Sequence, residues 1–385
     1  MTRIRDNWIS HPATQAVCAA LSAQGARVLF VGGCVRNALL GVAVSDIDIA
    51  TSANPQTVTA LAKAARIRVV PTGIDHGTVT LVKDGLAHEV TTFRRDVSTD
   101  GRRAVVAFSD DITDDAMRRD FTMNALYACP DGTVIDPLGG LPDLHARRVR
   151  FIGRGEDRIR EDYLRTLRYF RFHAWYGDPQ AGFDADALAA IAANLDGLGT
   201  LSRERVGAEM QKLLAAPDPA PSLAAMRNTG VLAQLLPGAD DRALAPLIHL
   251  EGAADAEPDP LRRLAALGGG SDVAARLRLG KAQATRLTAL RDGAASGAGI
   301  AELGYRLPVD QARDALLLRC VWTEQPWPQD AAKLLRKGAA ATFPVRAKDL
   351  MPRFTGAALG EELRRLESVW IASDFTLNRA QLLAA

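Results

Sequence analysis

The feature that most constrains this chain is a pair of aspartates one residue apart, Asp46 and Asp48, downstream of the stretch Val-Gly-Gly-Cys-Val-Arg-Asn at residues 31–37. Residues 28–31, Val-Leu-Phe-Val, read as a short buried strand. Gly32 and Gly33 then permit a tight turn that lets a ligand come close to the backbone. Residues 46–50 read as a second strand. Side chains at i and i+2 of a strand share a face, so Asp46 and Asp48 point one way while Ile47 and Ile49 pack the other way into a core. Two carboxylates on a rigid strand suit one or two Mg²⁺ ions, which take oxygen ligands and keep positions open for substrate phosphates. An isolated Asp-x-Asp is commonly a solvated strand edge. With two glycines and Arg36 upstream, the set points to transfer chemistry on a nucleoside triphosphate.

At 385 residues the chain is long enough for roughly two to four compact units. A hydrophobic content of 48% with 24% charged residues is that of an ordinary globular protein. The net charge of +2 gives no global basic field, so nucleic-acid binding has to come from a local patch. Cys18, Cys34, Cys129 and Cys320 lie far apart without metal-ligand spacing, which fits a reducing, cytoplasmic setting. The six histidines show no such spacing either. No apolar run is long enough to span a membrane, and the first residues lack the apolar stretch of a signal peptide.

Residues 1–140 alternate strand and helix signals. Residues 12–24 read as helix, and Ser52 or Asn54 can cap a second helix that begins at Pro55 and runs to about Arg66. Strand-like segments follow at 67–71, 77–83 and 87–93, the last two joined by an Asp84-Gly85 hairpin turn. Residues 94–115 are polar and acidic, contain Asp100-Gly101, and read as a mobile loop. Residues 114–128 read as helix, and residues 133–135 as a strand after the Asp131-Gly132 turn. From about residue 141 almost everything reads as helix, with segments at 156–176, 184–194, 202–215 and 220–229. Leu359, Leu363, Leu366 and Trp370 form one apolar stripe, best read as core packing. The glycines at 268–270 read as an interhelical loop, because no strand precedes them.

Two further clusters carry chemistry. In Arg118-Arg119-Asp120-Phe121-Thr122-Met123-Asn124 the arginines can fork onto phosphate oxygens. Between residues 147 and 175 there are nine arginines against four acids. Within that span Asp162 and Arg165 lie at i, i+3 and so are neighbours on a helix, where the bland role is an intrahelical salt bridge. The sharper role is base reading. A carboxylate accepts from an exocyclic amino group while the guanidinium donates to a ring nitrogen. Cytosine and adenine both offer that pattern; uracil and guanine reverse it and leave buried polar groups unpaired.

These motifs carry a family resemblance. Gly-Gly-Cys-Val-Arg-Asn-Ala-Leu-Leu-Gly, Ser-Asp-Ile-Asp-Ile-Ala-Thr, Arg-Arg-Asp-Phe-Thr-Met-Asn-Ala, Asp-Pro-Leu-Gly-Gly and Glu-Asp-Tyr-Leu-Arg-Thr-Leu-Arg occur in that order over roughly residues 28–175. The set resembles bacterial class II tRNA nucleotidyltransferases, the CCA-adding enzymes, which share a superfamily with poly(A) polymerases. Leu201-Ser202-Arg203-Glu204-Arg205 resembles a further helix motif of that family. The resemblance implies an α/β polymerase-β-like nucleotidyltransferase head, a mixed sheet with helices, over residues 1–140. A helical neck at 141–215 would read the nucleotide base, and a helical body and tail at 216–385 would bind tRNA.

Carried over by residue, the resemblance implies Asp46 and Asp48 as the catalytic, Mg²⁺-binding pair. Gly32, Gly33, Arg36 and Arg119 become nucleotide contacts, Asp162 and Arg165 the base template, and Arg168 and Arg171 further nucleotide-contacting arginines. On one unbroken helix, Arg171 would have turned away from Asp162. Glu89 matches either a third catalytic acid on a neighbouring strand or a simple strand carboxylate. The implied substrates are CTP, ATP and the tRNA 3′ end and acceptor arm, and the implied activity is addition of C-C-A. Poly(A) synthesis, or addition of only A or only CC, is the nearest alternative. The Gly-Ile-Asp-His-Gly-Thr-Val-Thr-Leu segment at 73–81 is similar to the CCA-adding type. A non-catalytic RNA-binding module is a different class of reading, and the intact Asp46 and Asp48 argue against it.

Overall fold

Asn54 begins the second long helix of the chain. Its side chain accepts from the Thr57 backbone N–H at 2.8 Å, and Pro55 occupies the first helical position, so the helix Pro55–Ala64 starts where a cap and a preset φ coincide. This helix and the helix Pro12–Ser22 cover one face of a mixed seven-stranded sheet. The strands are β1 (Val28–Val31), β2 (Ile47–Thr51), β3 (Arg68–Gly73), β4 (Thr78–Lys83), β5 (Leu86–Thr92), β8 (Tyr127–Ala128) and β9 (Val134–Ile135). Their order is β3-β4-β5-β2-β1-β8-β9. The computed structural model describes residues 2–74, 77–100, 103–351 and 353–385. Asp75 and His76 of the 73–81 motif, and Gly101 of the Asp-Gly pair, lie outside the described residues.

Register decides which residues reach the functional face. β2 and β5 run parallel, with Ile47 beside His88, Asp48 beside Glu89 and Ile49 beside Val90. Ile47, Ile49, His88 and Val90 are buried on the helix-covered face, where Thr14 of the first long helix bonds the His88 ring at 3.0 Å. Side-chain alternation therefore sends Asp48 and Glu89 to the opposite face. The Asp84-Gly85 turn joins β4 to β5 as expected, with both residues at positive φ (49° and 80°).

Three expectations need correction. Residues 94–108 are not a loop: β6 (Arg94–Asp100) and β7 (Arg103–Phe108) pair as an antiparallel ribbon. Backbone pairing satisfies this segment whatever its polarity. The helix expected at 114–128 ends at Met117, since it spans only Ile112–Met117, N-capped by Asp111. Beyond it the chain is drawn out by tertiary bonds. Phe121 bridges to Phe151, and Thr122 N–H donates to the Arg150 carbonyl. A short 3₁₀ turn at Thr122–Asn124 precedes β8. Finally, 156–176 is two helices, Gly155–Glu161 and Leu164–Tyr176, broken at Asp162, whose backbone is extended (φ −155°, ψ 106°).

The chain divides into two compact units, residues 1–213 with 221–235, and residues 214–220 with 236–385. The first holds the sheet and the arginine-rich helices. The second contains helices and no strand among the described residues. Within the second, Arg262 and Arg263 are buried and bind the buried acids Glu251 and Asp314. The stripe Leu359, Leu363, Leu366 and Trp370 lies on the helix Gly356–Ala372 and packs into the last hydrophobic cluster.

Helices Ile300–Arg306 and Ala331–Ala340 of that unit meet backbone to backbone, because a Cβ on Gly304 would overlap the Leu335 carbonyl and one on Gly338 the Ala301 carbonyl. Gly338→Ala should therefore lower unfolding stability by about 1–3 kcal/mol despite its better helix propensity. Chemical denaturation of the two proteins measures this. An alanine variant as stable as the parent would show that the two helices are not locked at this distance.

Candidate active site

The β1–β2 connection builds the floor. After β1 the chain turns at Gly32, whose φ is +68°, and enters the helix Gly33–Leu39. A side chain is excluded here, since a Cβ on Gly32 would crowd Arg119 Nη1 at 3.3 Å and Asn124 at 3.6 Å. A Cβ on Gly33 would lie 3.9 Å from Arg36 Nη2. Two guanidinium groups thus flank the two-glycine turn.

Asp48 lies on β2 and Asp46 just before its first residue, where the exposed carboxylate accepts from Ser45 Oγ at 2.9 Å. The Asp48 carboxyl is pushed up to about 6, first by burial and then by the Glu89 charge, with Asp46 adding to it and Arg119 and Arg36 opposing. Glu89 is the register partner of Asp48. A half-buried carboxylate strained by two acidic neighbours is the electrostatic signature of a cation site. Among the described residues, no three His, Cys, Asp or Glu side chains form a ready-made metal cage. The donor set is two hard carboxylates with Glu89 beside them, which fits Mg²⁺ completing its shell from phosphates and water.

The arginines form the opposite pole. Arg119 binds Asp115 Oδ2 at 3.0 Å and the Tyr127 hydroxyl at 3.2 Å, and that hydroxyl donates to the same Asp115 oxygen at 2.7 Å. Arg118 takes the other oxygen of Asp115 at 2.6 Å. Asp120, also buried, binds Arg168 Nε at 2.7 Å and Asn124 Nδ2 at 3.2 Å. Arg36 donates to Asn124, Asn37 and the hydroxyl of Tyr176, each at 2.9 Å. The Phe172 ring gathers three guanidinium groups, Arg36 at 5.0 Å, Arg168 at 5.4 Å and Arg171 at 4.9 Å.

The break at Asp162 changes the expected geometry of the arginine-rich segment. Asp162 does not pair with Arg165 along a helix. Its Oδ1 accepts from Leu164 N–H at 3.1 Å and its Oδ2 from Arg205 at 2.6 Å. Arg165 instead binds Glu161 at 2.6 Å and the carbonyls of Arg118 and Arg158. The Tyr163 ring occupies the space over Gly197 that a side chain there would need. Arg171 binds Glu209 at 2.6 Å and feels the charge of Arg36. The objection that Arg171 turns away from Asp162 assumed one unbroken helix, so it lapses.

Asp115, Asn124, Tyr127, Tyr176 and Glu209 escaped the sequence reading. One signal was available for the break. Asp162 precedes the Leu164-Leu167 apolar periodicity, as a capping residue would. Arg205 and Glu209 lie four apart on the helix Arg203–Leu214 and so brace Asp162 and Arg171 from one face.

Residues 28–150 match the poly A polymerase head domain, and residues 182–242 match a probable RNA and SrmB-binding site of polymerase A. Over these residues the chain is similar to the class II nucleotidyltransferases. The family's solved structures include the CCA-adding enzyme of Bacillus stearothermophilus in complex with CTP. It superposes with a TM-score of 0.75 at 28% identity, covering 94% of this chain and 93% of that one. In sequence, the human mitochondrial CCA tRNA nucleotidyltransferase 1 is 45% identical over 48% of this chain and 42% of its own length. The CCA-adding enzyme of Geobacillus thermodenitrificans is 42% identical over 57% of this chain and 52% of its own. The chain thus aligns with about half the length of the curated relatives it matches.

Asp115 should govern acid stability of this head. Burial alone would raise its carboxyl, but Arg119, Arg118 and the Tyr127 hydroxyl hold it down at about 2. Its stabilisation is complete above the unfolded carboxyl value of about 4 and is lost as pH falls through about 2. The stability gap between wild type and Asp115→Asn should shrink by on the order of 2 kcal/mol from pH 6 to pH 2. Denaturant titrations across that range measure it, and a constant gap would show that Asp115 is not held this way.

Proposed function

We propose that the chain is a template-independent nucleotidyltransferase that builds the 3′-terminal C-C-A of tRNA from CTP and ATP. The observation that carries this reading is the pairing of poles. A carboxylate face on β2 and β5 lies within electrostatic reach of guanidinium groups that flank a two-glycine turn. Its family setting and the fold match to a CCA-adding enzyme support the choice of substrate. In the division of labour, residues 1–140 form the catalytic head, 141–215 the neck that reads the base, and 216–385 the body and tail that bind tRNA. The four cysteines are unpaired, consistent with a cytoplasmic setting. Among the described residues no helix is long and apolar enough to cross a membrane.

In the transfer step the tRNA 3′ oxygen bonds to the α-phosphorus as the α–β bridging bond breaks, and pyrophosphate leaves. Arg36, Arg119 and the Gly32–Gly33 backbone hold the triphosphate. Arg168 and Arg171, each fixed by a carboxylate, supply directed donors toward the base and sugar. Asp46 and Asp48 would hold Mg²⁺, which when bound supplies Lewis-acid activation of the hydroxyl and neutralises phosphate charge. Glu89 supplies a third negative group beside Asp48.

Asp162 and Arg165 read the base by shared capacity. A carboxylate has about four lone-pair sites and a guanidinium five donors. Asp162 uses one bond on each oxygen, and Arg165 donates three, so both retain groups for an incoming base. Their separate partners fix the two side chains independently, which suits a rigid template.

Substrate specificity is tested with tRNAs ending before the first C, after CC, or complete, each supplied with single and mixed nucleotides. Ordered addition of C, C and A supports the proposal. A growing A tract, or A addition alone, would replace it with the poly(A) or A-adding reading. Asp46→Ala and Asp48→Ala should each reduce incorporation at least ~10³-fold while tRNA binding persists. Near-normal turnover in either variant removes that residue from catalysis. Asp162→Ala should narrow the preference for C and A over U and G by about 1–3 kcal/mol, roughly 10- to 100-fold. Equal losses in kcat/KM for all four nucleotides would end the templating role.

A further inference from the structure

Arg36 differs from the other arginines of the site. Arg119, Arg165, Arg168 and Arg171 each bind a carboxylate directly, on Asp115, Glu161, Asp120 and Glu209. Arg36 is only 5% exposed, yet its hydrogen-bond partners are all neutral: Asn37, Asn124 and the Tyr176 hydroxyl. The guanidinium carbon lies over the Tyr176 ring, 3.9 Å from its centroid. Asp120 attracts it from a distance, while Arg168 and Arg171 repel it. A desolvated cation without a contacting counter-ion is costly, and an arriving anion relieves the cost. The position of Arg36 beside Gly33 fits the anion to the turn. Its four bonded contacts leave one of the five N–H groups for it.

We infer that Tyr176 is a positioning residue: it holds the uncompensated Arg36 guanidinium beside the Gly32–Gly33 turn for the nucleotide's triphosphate. The inference rests on the nucleotidyl-transfer reading for the identity of that anion. Two features of Tyr176 do the holding. Its hydroxyl accepts from Nη2, which fixes rotation of the guanidinium in its plane, and its ring face blocks tilting out of the plane. A carboxylate in the same place would hold Arg36 more tightly but cancel its charge. Tyr176 is also the last residue of the helix that carries Arg165, Arg168 and Arg171. The groups proposed to face the base and the group proposed to face the triphosphate are thereby anchored to one rigid element, so the distance between them is set by helix geometry.

The test uses the full chain with Mg²⁺ present, and measures equilibrium binding of CTP and of inorganic triphosphate to wild type, Tyr176→Phe and Tyr176→Leu. Steady-state kinetics with all four nucleotides accompany it. The phenylalanine variant keeps the ring and its packing, so it folds even if the leucine variant does not. Loss of the hydroxyl should weaken CTP and inorganic triphosphate alike, by about fivefold, and loss of the ring by about 30-fold. KM should rise for all four nucleotides by the same factor, with kcat nearly unchanged and the C and A preference intact. Unchanged binding of inorganic triphosphate in both variants overturns the inference, as does a change confined to base preference or to the unfolding midpoint. Wild type that binds triphosphate but transfers no nucleotide would refute the transfer reading while the Tyr176 result still stands. Wild type that binds neither anion refutes both.

Discussion

Asp115 and Asp120 are the two buried carboxylates on which the arrangement of the site depends. Each is bound by arginine, Asp115 from within the short helix Ile112–Met117 and Asp120 from the irregular stretch just past its end. Burying a guanidinium is tolerable only where a carboxylate meets it with good geometry and the leftover lone pairs are filled. Asp115 meets that condition with Arg118, Arg119 and Tyr127, Asp120 with Arg168, Asn124 and the Phe121 N–H. The segment between them therefore gives up the helix its composition suggests. One carboxylate anchors it to β8 through Tyr127 and the other to the helix Leu164–Tyr176 through Arg168.

This trade explains what could and could not be read from the sequence. The two strands and the glycine turn after the first were legible because each step is local: a β-rich run, two glycines, and alternation that separates Ile47 and Ile49 from Asp48; the helix Gly33–Leu39 between them was not read. The Asp84-Gly85 hairpin was legible for the same reason. The segment 114–128 was not, because a helical pattern of apolar residues was outweighed by partners such as Arg168, 48 positions away from Asp120. Asp162 shows the intermediate case. Its capping signal was present, but a strong helical period on both sides hid a break of two residues. What decides that break is the Arg205 ion pair and the fit of Tyr163 over Gly197, both from elements far along the chain.

Charge placement gives the site its direction. Asp46 and Glu89 raise the Asp48 carboxyl by their charge, while Arg36, which contacts no carboxylate, lies beside the glycine turn. Neither pole is comfortable alone. A divalent cation relieves the first and a polyphosphate the second, and a nucleotide bound with its metal brings both together. In the proposed reading the site suits a metal–triphosphate pair more than either component.

The same reasoning distinguishes the arginines by task. A guanidinium already locked to a carboxylate offers directed donors but little net charge, which suits shape recognition of a base edge or sugar. Arg165, Arg168 and Arg171 are of this kind, and Glu209 on the helix Arg203–Leu214 fixes the last of them. A guanidinium held only by amides and a phenol keeps its full charge for a substrate that is itself highly charged. Arg36 is of that kind. In the proposed mechanism selectivity and affinity are tuned separately: the carboxylate partners set which base is accepted, whereas Tyr176 and Asn124 set how strongly any triphosphate is held.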